Sequence, residues 1–363
     1  MTVRRIAFLI LALAACNSGR NPHGPGGGGD AGTVASNHLD PNVDSDGDGY
    51  SPNQGDCDDT NALIGPNSIE VDGDNVDNDC DGKVDNAAAC DTSVAGMKTA
   101  DALAQAMGIC EKKFLKSAKF VGPSLEQGRN TVKGFGILKP LEGSAMTFIS
   151  TGLATTDLSY SPQGGTDLSA YGADTYKSPY GEIQAPPTSG CGQSPPTEVN
   201  DYTELALELK VPYNANSLSF QFQFFSAEYP EFVCTTFNDR FLVIVDDGTG
   251  QPVNVAFDNQ KNPVSVNNGF FTVCKNSASK PQTQHCTHPV TDIAGTGYDV
   301  DGGGDPIGGS TGWLTTTTPV TPGDTLKVRF IIFDEGDHIL DSAALIDNFK
   351  WLTEAVPGPI TIQ

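Results

Sequence analysis

The sequence predicts a mainly β protein: an antiparallel β-sandwich or jelly roll with one helix, preceded by a small, loop-rich acidic module. Three observations carry this expectation. From Phe120 to Trp351, short apolar runs alternate with clusters of Gly, Pro, Asn and Asp, at the spacing of strands and turns. Within that region Leu218, Phe220, Phe222 and Phe224 alternate with Ser219, Gln221 and Gln223, the period of a strand with one buried face. Residues 44–85 hold thirteen acids and a single base, Lys83. Such a segment repels itself open unless a divalent cation neutralises it.

Composition agrees. Hydrophobic residues make up 37%, while 41 Gly and 24 Pro suit a turn-rich β chain. A formal charge of −24 excludes nucleic acid as a partner and disfavours anionic lipid surfaces.

At the N-terminus, MTVRRIAFLILALAAC places Arg4 and Arg5 before the apolar run Ile6–Leu13. The run is too short to span a bilayer and reads as an export signal, residues 1–15. Leu13-Ala14-Ala15-Cys16 resembles a bacterial lipobox, which implies a lipidated Cys16 and attachment to the cell envelope, at the outer membrane or cell surface. Residues 16–43, rich in Gly, Pro and Asn, form a flexible tether.

The acidic module, residues 44–85, reads DSDGDGYSPNQGDCDDTNALIGPNSIEVDGDNVDNDCDGKVD. Asp44, Asp46 and Asp48 stand at loop positions 1, 3 and 5, Gly49 follows at 6, and the Tyr50 carbonyl falls at 7. This is the first half of an oxygen-rich Ca²⁺ loop. Gly55 replaces the closing Glu at 12, so Asp56, Asp58 or Asp59 must close the site, and Asp56 is the first candidate. Asp77, Asp79 and Asp81 repeat the spacing before Gly82, with Asp85 as a further ligand. The expected cofactor is Ca²⁺. From GDGYSPNQGDCDD to DNDCDGKVD the stretch resembles the metal-binding repeat named after the surface protein MopE, with Asn67 in place of the usual Gly after Pro66. That resemblance implies Ca²⁺ binding in a cell-surface protein and no catalysis.

Nine cysteines less Cys16 leave eight in an exported chain, an even number that predicts disulfides. Cys57 and Cys80 occupy matching places in the repeat and are expected to pair. Cys90 and Cys110 are a second expected pair, while Cys191, Cys234, Cys274 and Cys286 leave three pairings open. A zinc site drawn from Cys274, His285, Cys286 and His288 fits no standard spacing. Leu103, Met107, Cys110 and Phe114 form one apolar stripe and predict a helix over residues 98–118.

Strands are expected at Ala145–Ile149, Leu205–Val211, Leu218–Phe225, Phe241–Val245, Val253–Phe257, Gly269–Val273, Leu326–Phe333 and Ala344–Trp351. The segment FQFQFFSAEYPEFVCTTFNDRFLVIVDDG resembles the choice-of-anchor L domain of bacterial surface proteins, as do ISTGLAT upstream and the stretch Gly309–Trp351. The domain is expected over residues 90–355. The resemblance implies architecture and placement, not chemistry; that family's usual anchoring tail does not follow here, so the N-terminal lipid is expected to anchor the chain. Glu228, Glu231, Asn238 and Asp239 lie between two apolar strands, and Asp341 and Asp347 flank the last one. Together they are the candidates for a second metal or ligand site. In DSAALIDN the last two resemble the ending of jelly-roll carbohydrate-binding modules.

The functional expectation is a lipid-anchored, Ca²⁺-binding surface protein with an adhesion or ligand-binding role, its sandwich taking a glycan, a matrix component or another surface protein. The alternative is an exported hydrolase of glycans, with Glu228 and Glu231 as a carboxyl pair. No G-x-S-x-G, H-E-x-x-H or P-loop accompanies that pair, so no enzyme is expected.

Overall fold

Two sheets built from sixteen strands face each other among the described residues of this computed structural model. Those residues are 40–86, 93–164, 168–183, 191, 194–267, 269–276, 286–299 and 308–363. The signal segment, Cys16, most of the tether and Cys90 therefore lie outside them. In chain order the strands are β1 (Leu115–Val121), β2 (Arg129–Val132), β3 (Met146–Ser150), β4 (Tyr176–Lys177), β5 (Glu198–Lys210), β6 (Ser217–Ser226), β7 (Arg240–Asp246) and β8 (Val253–Asn254). Then come β9 (Val264–Ser265), β10 (Val273–Cys274), β11 (His288–Pro289), β12 (Gly309–Ser310), β13 (Leu314–Pro319), β14 (Thr325–Asp334), β15 (Ser342–Leu352) and β16 (Ile360–Ile362).

One sheet runs β1-β5-β14-β7-β8, with β4 beside β5 and β9 beside β7. The other runs β11-β10-β12-β6-β15-β3-β2, with β13 joining β6 to β16. The long ladders are antiparallel, and only the short β10–β11 pair is parallel. This is the predicted mainly β sandwich.

Alternation in β6 explains the core. Leu218, Phe220, Phe222 and Phe224 are fully buried between the sheets, against Phe241, Val243, Phe330 and Ile332. Each such side chain contributes roughly 1.5–3 kcal/mol of burial. Several strands are apolar on both faces, as in FLVIV and FIIF, because loops cover the outer faces too. Leu242, Ile244, Ile331 and Phe333 pack outward under Tyr180, Ile183 and Tyr202. Phe225, Ala343 and Leu345 pack outward under Phe135 and Tyr298.

The structure corrects three expected elements. The helix α1 covers only Ala100–Ala106, capped by Thr99 Oγ1 on Ala102 N–H. Gly108, at φ +111, ends it: Ile109 N–H bonds the Ala104 carbonyl and Gly108 N–H that of Gln105. Those two bonds satisfy the last carbonyls, and the left-handed turn favours glycine. Leu103, Met107 and Phe114 still reach the interior, but Leu115 begins β1. Of Gly269–Val273 only Val273 enters a strand, and Val253–Phe257 is a strand only over β8. Val255, Ala256 and Phe271 enter the core from irregular backbone instead.

Candidate functional site

The acidic repeat folds as two carboxylate loops. In the first, Asp44 takes Gly47 N–H (2.7 Å) and Gly49 N–H (2.9 Å), while Asp48 takes Tyr50 N–H (2.8 Å). Gly47 and Gly49 both have φ near +90, which an L side chain would strain. One oxygen each from Asp44, Asp46 and Asp48 lies within 4.8 Å of the others. Asp59 is spent on Ser45, accepting from its N–H (2.9 Å) and its hydroxyl (2.7 Å). Asp56 is buried and acts electrostatically on Asp48, as Asp46 acts on it. Burial, with Asp46, Asp56 and Asp44 as negative neighbours, pushes the Asp48 carboxyl up to about 6 against the pull of the Tyr50 N–H. Asp56 is raised by burial first and by Asp46 among its neighbours.

One oxygen of each of Asp46, Asp48 and Asp56 is buried without a hydrogen-bond donor. Three buried acceptors with no donor are costly unless they bind a cation. Gly65 closes the loop from outside, since a Cβ there would fall 2.1 Å from Asp48 Oδ2.

The second loop departs from the expectation. Asp77 and Asp79 converge with Glu70 rather than with Asp81. Glu70 Oε1 accepts from Asn78 N–H (2.8 Å) and Asp79 N–H (3.1 Å), and its Oε2 is buried without a donor. Asp81 turns outward to Asn86 and Lys83, and the Asn86 amide first among its partners lowers its pKa. Asp85 accepts from Gly73 and Asn75 N–H and so holds a turn. Asp81 and Asp85 are corrected accordingly. The signal for Glu70 was the Glu at the end of the Ile64-x-Pro66 stretch, four residues beyond that Pro. Cys57–Cys80 ties the two loops together.

The repeat is docked on the sandwich, and residues 40–363 form one compact unit. Asn214, in the β5–β6 turn, accepts from Ile69 N–H (2.9 Å) and donates to the Ile69 carbonyl (2.7 Å). Tyr213 N–H bonds the Asn67 carbonyl (3.1 Å), and Lys113 bonds the Ser68 carbonyl (3.2 Å).

A second acidic group sits at one end of the sandwich. The β14–β7 ladder pairs Phe333 with Arg240, bringing Asp334 and Asp239 side by side at the end of one sheet. Ser342 pairs with Ser226 at the matching end of the other. Ser342 Oγ donates to Asp239 Oδ2 (2.6 Å) across the two sheets, and Asp239 N–H donates to Glu228 Oε2 (3.2 Å). Glu228, Asp239, Asp334 and Asp341 are each at most 2% exposed. Burial, then Asp239, pushes Glu228 up to about 10; burial raises Asp239 to about 7 and Asp334 well above the carboxylate range. Tyr160 donates its hydroxyl to Asp341. Of the other candidates, Asn238 accepts from Asn267 N–H (3.1 Å) and Glu231 is half-buried. Asp347 is corrected: it caps the loop at Leu141 (2.6 Å) and Asn348 (2.7 Å) and does not join the group. Asp334 was missed; its signal is an Asp ending the apolar strand FIIFDEGD.

Cys191 pairs with Cys234 and Cys274 with Cys286, which removes both cysteines of the rejected zinc arrangement. Cys110 is also disulfide-bonded. No helix among the described residues is long and apolar enough to cross a membrane.

Comparison with known proteins agrees with this architecture. The metal-binding motif family named Cu-binding MopE matches residues 56–86, beginning after the first Asp triad. A search of curated proteins returns no match. Among solved structures, the module TmCBM61 in complex with β-1,4-galactotriose is similar over 67% of this chain and 92% of that one, at 10% identity and a TM-score of 0.26. At that score the two folds are not equated. The choice-of-anchor L domain matches residues 155–349, more than half of the chain, from just beyond β3 to Phe349, the last buried residue of β15. Disulfides, a metal-binding motif and this domain mark a surface-associated protein, and the chain belongs to the choice-of-anchor L domain family.

Proposed function

We propose that the chain is an exported, lipid-anchored surface protein whose repeat binds Ca²⁺ and whose sandwich serves as a ligand-binding body. The observation that carries the metal reading is the set of donor-less buried oxygens on Asp46, Asp48 and Asp56. The donor chemistry supports Ca²⁺ over copper. Copper favours thiolate, thioether or imidazole ligands. Residues 40–86 contain no His and no Met, and both of their cysteines are tied in a disulfide. What remains is oxygen, which suits a hard cation. Asp44, Asp46, Asp48 and Asp56 would hold one ion, and Glu70, Asp77 and Asp79 a second. Affinities of about 10⁻⁵ to 10⁻³ M are expected for an extracellular module.

Calorimetric titration of the chelated full chain tests this. Two repeat-borne Ca²⁺ ions are expected, with Asp46→Ala and Asp79→Ala each losing one. Tight copper binding, or no heat at several millimolar Ca²⁺, overturns the reading. The anchor is tested by Cys16→Ser, which should release the protein from the membrane fraction; retention there overturns it.

Binding rather than catalysis is supported by Glu228, which is buried and already bonded to a backbone N–H and therefore poorly placed to pair with Glu231 on a substrate. A cavity of about 320 Å³ lies on the outer face of β1, β5 and β14, beside Tyr176, Glu182, Glu204 and Arg329. An aromatic ring next to fixed charged hydrogen-bonding groups suits a glycan. Retention on a panel of immobilised polysaccharides, without release of product, is the expected result; turnover would favour the hydrolase.

A further inference from the structure

We propose that the sandwich sets one cation site of the repeat: Asn214, in the β5–β6 turn, is a positioning residue for Glu70 and through it for the Glu70–Asp77–Asp79 triad. The inference rests on the reading of that triad as a cation site.

Glu70 is the member of the triad that its own loop controls least. Asp77 and Asp79 lie close together in the chain and next to Cys80, which the bridge to Cys57 holds. Glu70 comes from the segment after Pro66, and its place depends on where residues 67–71 run. Four hydrogen bonds join that segment to the sandwich. Tyr213 N–H donates to the Asn67 carbonyl (3.1 Å) and Lys113 Nζ to the Ser68 carbonyl (3.2 Å). The Asn214 side chain makes the other two, taking Ile69 N–H (2.9 Å) and giving its amide to the Ile69 carbonyl (2.7 Å).

The last pair bears directly on the ligand. The Ile69 carbonyl lies in the same rigid peptide plane as the Glu70 nitrogen, so fixing that carbonyl fixes the bond from which Glu70 departs. On the far side, Val71 N–H is held by Asn78 Oδ1 (2.9 Å). Glu70 is thus clamped between the sandwich before it and the repeat after it. In that pose Oε1 accepts from Asn78 and Asp79 N–H, and Oε2 is left buried with no donor, free for an ion. Asn214 is 4% exposed, between the core residues Val211 and Ala215. A buried amide at such a place is costly without partners, and both of its polar atoms are matched by one residue of the repeat. A polar group that orients a ligand from behind is a regular part of metal sites. The first loop is built differently. Its turn is closed by its own Gly47, Gly49 and Tyr50 N–H groups, and among the described residues Asn214 bonds none of it. Docking and the second ion are therefore linked, each favouring the other by the same factor.

Two single-site forms of the full chain test the proposal by calorimetric titration with Ca²⁺ after chelation. Asp46→Ala reads the second loop and Asp79→Ala the first. Adding Asn214→Ala should weaken Ca²⁺ by about tenfold or more in the Asp46→Ala chain, the usual loss for a residue that orients a metal ligand. In the Asp79→Ala chain it should leave the affinity unchanged, which a mere loosening of the fold would not do. Equal weakening of both loops, or none at the second, overturns the proposal while the triad stands as a cation site. If the Asp46→Ala chain binds no Ca²⁺ at several millimolar, the reading of the triad fails and the proposal with it. Should Asn214→Ala not fold, Asn214→Ser decides on the same two chains. It keeps a polar side chain too short to bond both Ile69 groups, and again only selective weakening of the second loop supports the proposal.

Discussion

Lys113 of the sandwich reaches Asp79 of the repeat, its Nζ 3.0 Å from Oδ2, and at the same distance meets Glu111. A lysine therefore stands against one member of the Glu70–Asp77–Asp79 triad. It relieves the repulsion of the metal-free loop and competes with the metal for the same oxygen. Lys113→Met should accordingly tighten Ca²⁺ at the second loop by up to about fivefold, the worth of a partly exposed ion pair. The first loop should be unaffected. Titration of the Lys113→Met chain in an Asp46→Ala background reads the second site alone; unchanged or weaker binding there would show that Lys113 does not compete.

The pH dependence has opposite signs with and without metal. In chelator, Asp48 is pushed up to about 6 on folding, from an ordinary value near 4, so the folded state holds the proton more tightly. That contribution is full below about pH 4 and is lost as pH rises through 6. Asp239 and Glu335, raised by burial to about 7, act in the same sense over a slightly higher range. The chelated chain should thus melt lower at about pH 7.5 than at about pH 5. Calcium affinity should run the other way and weaken below about pH 6, where protons occupy Asp48. Asp48→Asn should remove the repeat's share of both trends in a melting series.

Asn214→Ala should loosen the repeat without opening the sandwich. It deletes both bonds to Ile69 and leaves a part-buried N–H and carbonyl unmatched, at a cost of about 1–3 kcal/mol. Hydrogen exchange should accelerate across residues 65–71 and stay slow in β5 and β14. Uniform acceleration would mean that the repeat and the sandwich open together.

Phe222→Ala tests the core directly. Phe222 is fully buried, 4.9 Å ring to ring from Phe241, and a cavity there should cost about 3–5 kcal/mol. Chemical denaturation measures it; a loss near zero would contradict the packing between the sheets.

Much of this architecture was legible because it follows from period and spacing. The alternation in β6, the apolar runs of β7, β14 and β15, and the 1-3-5 pattern of Asp44, Asp46 and Asp48 all act over a few residues. Less legible features depend on partners far along the chain. The stripe through Leu103 and Phe114 suggested one long helix because both residues do reach the core; Gly108 breaks the path between them. Glu70 enters the second triad only because the chain folds back between Pro66 and Asp77, while Asp81 matches the spacing and points away to Asn86. Asp334 stands at a strand end with no local pattern to mark it, and its meeting with Asp239 needs the β14–β7 register.

The place kept clear by Gly65 reaches beyond sterics. Asp48 belongs to the first carboxylate loop, and Gly65 to the linker leading into the second, where its N–H bonds the Asn78 carbonyl (2.8 Å). A methyl group at Gly65 would evict a ligand seventeen positions upstream while leaving every carboxylate in the chain intact. The two halves are therefore interlocked parts of one object, joined by a gap as well as by the Cys57–Cys80 bridge. Neither loop can be grafted elsewhere as a self-sufficient ion binder, and in natural variation the unit of gain, loss or duplication should be the whole span from Asp44 to Asn86.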